Sequence, residues 1–231
     1  ERKCKSDYED SGYSWRNIAE TMVFNKTKGD FGKMIEAHEN LLQAFGDINK
    51  KVKNVFGIEP DINVVLYCGL LNSAGWVTNY DGKRAILHGI DKIAELNWYT
   101  MKKIKPLIAH ELCHVVHFEL RGEEGVEEYT ERNNYTRGIW RIYEEGFAQF
   151  YQQLLLGSDI DPRGYEWFEK CELNKDRLKK LYFEALYDEK KGTKEFYGDW
   201  FQVLGVSDAG YYLGAQLIKE LSLDFSVKEI A

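Results

Sequence analysis

Residues 106–122 read PLIAHELCHVVHFELRG and carry the start, stop and periodicity of one amphipathic helix. Pro106 suits the first position of a helix, where its missing N–H has no partner to lose. Gly122 suits the position just past the end, where a left-handed residue closes the last turn. Between them Ile108, Leu112, Val115 and Val116 recur at helical spacing and mark a buried face. At about 100° per residue, His110 and His114 fall about 40° apart on the opposite face, one turn above the other. Two imidazoles in that relation can fill adjacent corners of one tetrahedral metal site. Glu111 flanks the pair, where it can take a proton from a water molecule at the metal.

Upstream, residues 30–55 place Met34, Ile35, Leu41, Leu42, Phe45, Ile48 and Val52 near helical spacing, and Gly57 and Pro60 end that helix. Residues 62–67 are a β-branched apolar run and predict a buried strand. Residues 76–80 and 83–88 flank Asp81-Gly82, a pair suited to the positive φ angles of a two-residue hairpin turn. Asp91 is expected to cap a helix running to about residue 103. Downstream, Tyr143, Phe147, Phe150 and Leu154 form an apolar stripe over 139–156. Two more helices are expected over 174–189 and 208–221, with Asn174 and Ser207 as N-caps.

Strands followed by helices predict an α+β fold: a small N-terminal mixed sheet packed on a mainly helical region. With three prolines and no low-complexity tract, one domain is expected over 1–231, mixed up to about residue 105 and helical from about 106. The 231 residues are 44% hydrophobic and 30% charged, a composition that can bury a core and excludes a disordered chain. The net charge of −7 disfavours nucleic acid and anionic membrane surfaces as partners. The longest apolar run, 64–71, is far short of the roughly 20 residues that span a bilayer. No signal peptide is visible, and a cytoplasmic location is slightly favoured over secretion. Cys4, Cys68, Cys113 and Cys171 form no C-x-x-C pair, which excludes a cysteine zinc ribbon and leaves free thiols as the expectation.

A helix pair supplies only two ligands, whereas catalytic zinc takes three from the protein and keeps one position open. The metzincin extension would need Gly at 117 and His at 120, where this chain has His117 and Leu120. Residues 140–149, WRIYEEGFAQ, offer Glu144 or Glu145 instead, and helical geometry alone leaves both open.

The H-E-x-x-H at 110–114, followed by Glu145-Gly146-Phe147-Ala148 on a later helix, resembles the gluzincin zinc metallopeptidases. It is similar to their alanyl-aminopeptidase branch, whose ligand glutamate directly precedes Gly in an Asn-Glu-Gly-Phe-Ala segment. It also resembles a group of small bacterial predicted zinc-dependent proteases. The resemblance implies one catalytic Zn²⁺ held by His110, His114 and Glu145, with Glu111 as general base. The small residues Gly146 and Ala148 suit helices that approach closely to share an ion. The resemblance also implies an oxyanion-stabilising Tyr within Tyr-x-x-Gly. Tyr211-Tyr212-Leu213-Gly214 fits that pattern, with Tyr211 expected in the role and Tyr212 as the alternative.

The implied activity is hydrolysis of peptide bonds in a peptide or protein substrate. The branch's Gly-x-Met-Glu-Asn segment, which binds a substrate amino terminus, is missing here, so an endopeptidase is favoured over an exopeptidase. The alternatives are a non-catalytic peptide-binding module with a structural or vestigial zinc site, and a hydrolase of non-peptide amides. In gluzincins an edge strand beside the cleft pairs with extended substrate; residues 83–88 read as a plain buried hairpin first, and as that strand second. Gln149 lies one turn after Glu145, where it can orient a ligand or simply face solvent. His117 reads as a partly exposed polar side chain, or as a contact to substrate or cleft water. Cys113 reads as a small buried residue, or as a thiol close enough to zinc to bind it or be oxidised. Glu123, Glu124, Glu127, Glu128 and Glu131 read as a solvated run, or as a cleft mouth favouring cationic substrates. The basic stretch 175–180 reads as the solvent face of its helix.

Overall fold

The computed structural model describes residues 8–9, 12–122, 133–158 and 161–231. Helix α1 (Trp15–Ile18) begins where the Ser14 side chain accepts from the Asn17 N–H. It passes through a π-helical turn, Ala19–Val23, into α2 (Phe24–Phe56). The observed helix therefore starts well before residue 30. Polar residues in its first turns join a helix already nucleated, and each adds one hydrogen bond without a new nucleation cost. Met34, Ala37, Leu41, Ala44, Ile48 and Val52 are its buried line, whereas Ile35 and Leu42 lie on the exposed side. Gly57, at φ 69°, closes it with its N–H on the Lys53 carbonyl.

Three strands follow: β1 (Asn63–Tyr67), β2 (Trp76–Tyr80) and β3 (Lys83–Gly89). The order is β1-β3-β2, with β3 parallel to β1 and antiparallel to β2. Asp81 and Gly82 make the hairpin turn at φ 54° and 73°, as the Asp-Gly pair predicts. Strand β3 is central, so both of its hydrogen-bonding edges are used. Residues 83–88 cannot receive a substrate strand, and β2 is the edge strand on that side.

The helix expected from Asp91 to about 103 is two helices. The first, α3 (Ile90–Glu95), stops because Asn97 turns left-handed at φ 55°. The Asp91 carboxylate does not cap it; it accepts the N–H groups of Gly69 and Leu71, each at 2.9 Å. The second, α4 (Met101–Arg121), begins after Thr100, so Pro106 stands inside the helix rather than at its start, removing one backbone bond. Gly122, at φ 69°, ends α4 on the Phe118 carbonyl, as expected. Ile108, Leu112, Val115 and Val116 are all fully buried.

Asn133 caps α5 (Asn134–Leu156) by accepting the Thr136 N–H at 2.9 Å. Its buried line runs through Phe147, Tyr151 and Leu155. Leu154 is 56% exposed and is not part of it, a shift of one residue from the expected stripe. Next come α6 (Tyr165–Leu173), too short to show a period, and α7 (Lys175–Leu186). Asn174 precedes α7 without capping it; its side chain donates to the Lys170 carbonyl. A 3₁₀ turn, Lys194–Phe196, leads towards α8 (Ala209–Leu221). The residue at the α8 N-cap is Asp208, at φ 57°, not Ser207, whose carbonyl accepts the Trp167 indole N–H at 2.7 Å. The last helix, α9 (Val227–Ile230), opens with a Ser226–Glu229 capping box.

The architecture is α+β, with a three-stranded mixed sheet beside a larger helical part. One apolar cluster joins α2, the sheet, α4 and α5 through residues such as Ile48, Ile86, Ile108 and Phe147. A second forms around α6, α7 and the start of α8, through Trp167, Leu178 and Tyr212. Helices α5 and α8 cross in backbone contact: a Cβ on Gly146 would stand 2.4 Å from the Gly214 backbone. The close approach that Gly146 permits is thus to α8 rather than to α4. Among the described residues, no helix is long and apolar enough to cross a membrane.

Candidate metal centre

Helix α4 presents His110 and His114 one turn apart, and α5 brings Glu145 against both. His110 Nε2 and His114 Nε2 each lie 3.3 Å from Glu145 Oε2 and 3.2 Å from one another. This nearly equilateral triangle can be tested against a metal ion. Donors at about 2.0–2.1 Å from a tetrahedral ion sit roughly 3.3–3.4 Å apart. The residues therefore fit a divalent ion such as zinc by donor type and by spacing. Among the described residues, no other trio of His, Cys, Asp and Glu converges in this way. Glu144 points elsewhere: it lines the adjoining cavity without joining the triangle.

The electrostatics follow from burial and proximity. Burial alone would raise the Glu145 carboxyl, but hydrogen bonds from His110 and His114 outweigh it and hold the group well below the usual carboxylate range. Burial lowers His110. It also works to lower His114, yet the Glu145 hydrogen bond and the nearby carboxylates lift that imidazole to about 9. Burial pushes Glu111 up to about 7. Its Oε2 is buried without a hydrogen-bond partner.

Glu111 is confined by a backbone wall that carries no local sequence signal. A Cβ on Gly75 would stand 2.5 Å from Glu111 Oε1, so only glycine leaves the carboxylate its present place. The loop carrying Gly75 is tied down at several points. Asp91 holds Gly69 and Leu71, Ser73 Oγ donates to the Gly75 carbonyl at 2.8 Å, and His88 Nδ1 lies 3.2 Å from the Ala74 carbonyl. Leu70 and Leu71 are both left-handed, at φ 57° and 60°, a strain that these bonds must hold in place.

Tyr211, in the first turn of α8, packs its ring 5.6 Å from that of His110 and lines the site. Tyr212 turns away, buried in the second cluster with its hydroxyl on Glu172. Arg163 holds Tyr211 from behind. Its guanidinium sits 4.4 Å from the Tyr211 ring centre and 4.3 Å from that of Trp167. Asp161 fixes Arg163 through Nε at 2.9 Å, and the Gln149 side-chain oxygen accepts from Nη2 at 3.1 Å. Gln149 also donates to Asp161 at 2.8 Å. It therefore neither orients a ligand nor faces solvent; it braces the arginine. A lone Arg and Asp two residues apart carry no sequence period, which is why this brace was not anticipated.

Other expectations are corrected. His117 is not near the cleft but buried, stacked on Phe147 at 4.3 Å with its Nε2 2.9 Å from the Tyr143 hydroxyl. Burial pushes its imidazole down to about 3, so it is neutral. Cys113 is fully buried and its thiol raised by burial, the packing role expected of it. Cys68, Cys113 and Cys171 are free thiols. Cys4 and the acidic run from Glu123 to Glu131 lie outside the described residues.

Two cavities flank the centre. One, of about 160 Å³, reaches Arg163 and Asp208; the other, of about 180 Å³, runs along Trp76 and Val77 of β2 to His114 and Glu145. Both are lined by Gly75, His110, Glu111 and Tyr211, so a cleft passes the centre on two sides. Comparison with protein-family models, with curated proteins and with solved structures finds no significant match to this chain.

Proposed function

We propose that this chain is a zinc-dependent peptidase of the gluzincin type, with endopeptidase action favoured. The observation that carries the reading is the His110–His114–Glu145 triangle, whose edges of 3.2–3.3 Å suit one tetrahedral ion. When bound there, zinc supplies a Lewis acid that polarises a carbonyl and makes water easier to ionise. Glu111 accepts the proton of the attacking water and later returns it to the leaving amine. The Tyr211 hydroxyl, beside His110, donates to the oxygen on which charge develops. The wall at Gly75 and the brace at Arg163 keep these two groups in place while the substrate changes shape. A cleft open on both sides of the centre admits a chain that continues past the scissile bond, which supports endopeptidase action. Among the described residues β2 is the outer strand on the cleft side, and with Trp76 and Val77 in the cleft it is where an extended substrate lies.

The test is digestion of a diverse peptide mixture by zinc-loaded protein, read by mass spectrometry beside Glu111→Gln. The wild type is expected to cut at internal bonds. The variant is expected to keep one zinc and lose cleavage by at least a hundredfold. Cleavage surviving in the variant removes Glu111 from the mechanism. Zinc bound by both with no cleavage by either defeats the peptidase reading and leaves a peptide-binding module.

A further inference from the structure

The first three turns of α5 face the loop that leads into the 3₁₀ turn, and the start of that turn, across an open groove of about 530 Å³. Arg137 and Arg141 line one wall, and Lys190, Lys191 and Lys194 the other. All five side chains are exposed. Lys191 pairs with Glu195 at 2.8 Å. Arg137 hydrogen-bonds the Asn134 side chain, and Arg141 lies 4.1 Å from the Tyr197 ring centre. Among the described residues, four of the five cations have no carboxylate within ion-pair distance. In a chain of net charge −7, the sign is locally reversed.

The groove is not isolated. Its inner end is formed by Glu144 and Glu145, which also line the cavity at His110 and His114. From Asn134 to Glu145 the α5 wall runs about 16 Å, at roughly 1.5 Å per residue. That length takes about five residues of extended chain. Successive side chains of an extended segment point to opposite sides, so acidic residues in a row would address both basic walls at once. Trp140 adds an apolar surface between them.

Resting on the peptidase reading above, the geometry points to acidic peptides as the substrate class, with a run of Asp or Glu on one side of the scissile bond lying in this groove. A long polyanion such as nucleic acid fits less well, because beyond the groove it meets an acidic protein and, at the inner end, two carboxylates. Exposed charge pairs are each worth roughly a factor of two, so four of them give about a tenfold preference.

The experiment reads binding, so that it does not depend on turnover. A short fluorescent peptide carrying a run of Asp and Glu, and its twin with Asn and Gln, are titrated by anisotropy onto the zinc-loaded Glu111→Gln protein. The acidic peptide is expected to bind about tenfold tighter, with the difference shrinking as salt rises from about 50 mM to about 300 mM. Charge reversal at Arg137→Glu, Lys190→Glu and Lys194→Glu, with zinc content and thermal unfolding checked, is expected to abolish the preference. If the triple variant fails to fold, the Lys190→Glu, Lys194→Glu pair carries the same readout at about half the effect on a logarithmic scale.

Equal affinity for the twins overturns the inference. So does a preference that survives charge reversal, since carboxylates would then be binding at the metal. An oligonucleotide of equal charge that binds as tightly as the acidic peptide also overturns it. Selective binding without cleavage by the wild type defeats the peptidase reading and keeps the groove. Cleavage of both twins at equal rates keeps the peptidase and defeats the groove.

Discussion

The two sides of the centre are held in place by different means. On α4, His110 and His114 are aligned by the helix itself, since residues four apart share a face whatever surrounds them. On the other side, Glu145 and Tyr211 come from α5 and α8, and their positions depend on how closely those helices cross. That distance is set by Gly146 against Gly214, with backbone touching backbone. Glu111 depends in the same way on the loop wall at Gly75. A motif within one helix tolerates small shifts of its neighbours; a site assembled across helices does not.

The largest effect expected from this contrast is at the crossing. Gly146→Ala places a methyl group 2.4 Å from the Gly214 backbone, which cannot yield as a flexible side chain would. A loss of about 3 kcal/mol is expected in urea unfolding, together with weaker zinc binding in a titration against a chelator. Wild-type stability and zinc affinity in this variant would break the comparison.

Acid tests the wall. His88 is fully buried and pushed down to about 4 by burial, so it is neutral in the folded protein. The unfolded chain takes up a proton near pH 6.5 and the folded one does not until about 4. The stability tied to this histidine is therefore complete above pH 6.5 and lost as pH falls through 4. Between pH 7 and 5 the loss amounts to about 2 kcal/mol. His117, down at about 3, adds a loss of the same sign. Glu111, raised to about 7, works with the opposite sign over this range. The difference between wild-type and His88→Leu denaturant midpoints at the two pH values therefore isolates the effect, and the variant should lose about one proton from the slope. An unchanged slope in that variant would mean that His88 is already protonated or solvated in the folded state.

A smaller effect is expected at the brace behind Tyr211. Arg163→Gln removes the cation stacked between Trp167 and Tyr211, an interaction worth about 1 kcal/mol or somewhat more. Turnover should fall roughly five- to tenfold with KM little changed, because the ring loses its seat while the cleft keeps its shape. A rise in KM at constant kcat would instead make Arg163 a substrate contact.

The smallest effect is expected at Leu154, on the exposed side of α5, set against its buried neighbour Leu155. Leu155→Ala empties a buried position and should cost about 3 kcal/mol, whereas Leu154→Gln on the exposed side should change stability by less than about 0.5 kcal/mol. Comparable losses from both would contradict the observed rotation of the helix.

Much of the molecule is legible in local pattern. The α4 stripe, the left-handed stop at Gly122 and the Asp81-Gly82 turn each depend on a few neighbouring residues, and each stands as the pattern predicts. Expectations slip where a residue has a distant partner. Asp91 looks like a helix cap, yet its carboxylate is taken by a loop some 20 residues earlier in the chain. Gln149 looks like a surface or ligand-orienting residue until Asp161 and Arg163 fold back onto it. Residues 83–88 have the composition of a strand, but whether a strand is central or at an edge depends on which others join it.

The α4 histidine pair, its flanking glutamate and the α+β balance of elements are already written in local pattern, because helical and strand periods are properties of neighbouring residues. Tertiary structure decided that Glu145 rather than Glu144 meets the two imidazoles, and that Tyr211 rather than Tyr212 faces them. Adjacent residues on a helix differ by about 100° in direction, so that choice depends on how α5 and α8 are rotated against their neighbours. The two helices meet backbone to backbone at Gly146 and Gly214, a contact that no local period encodes.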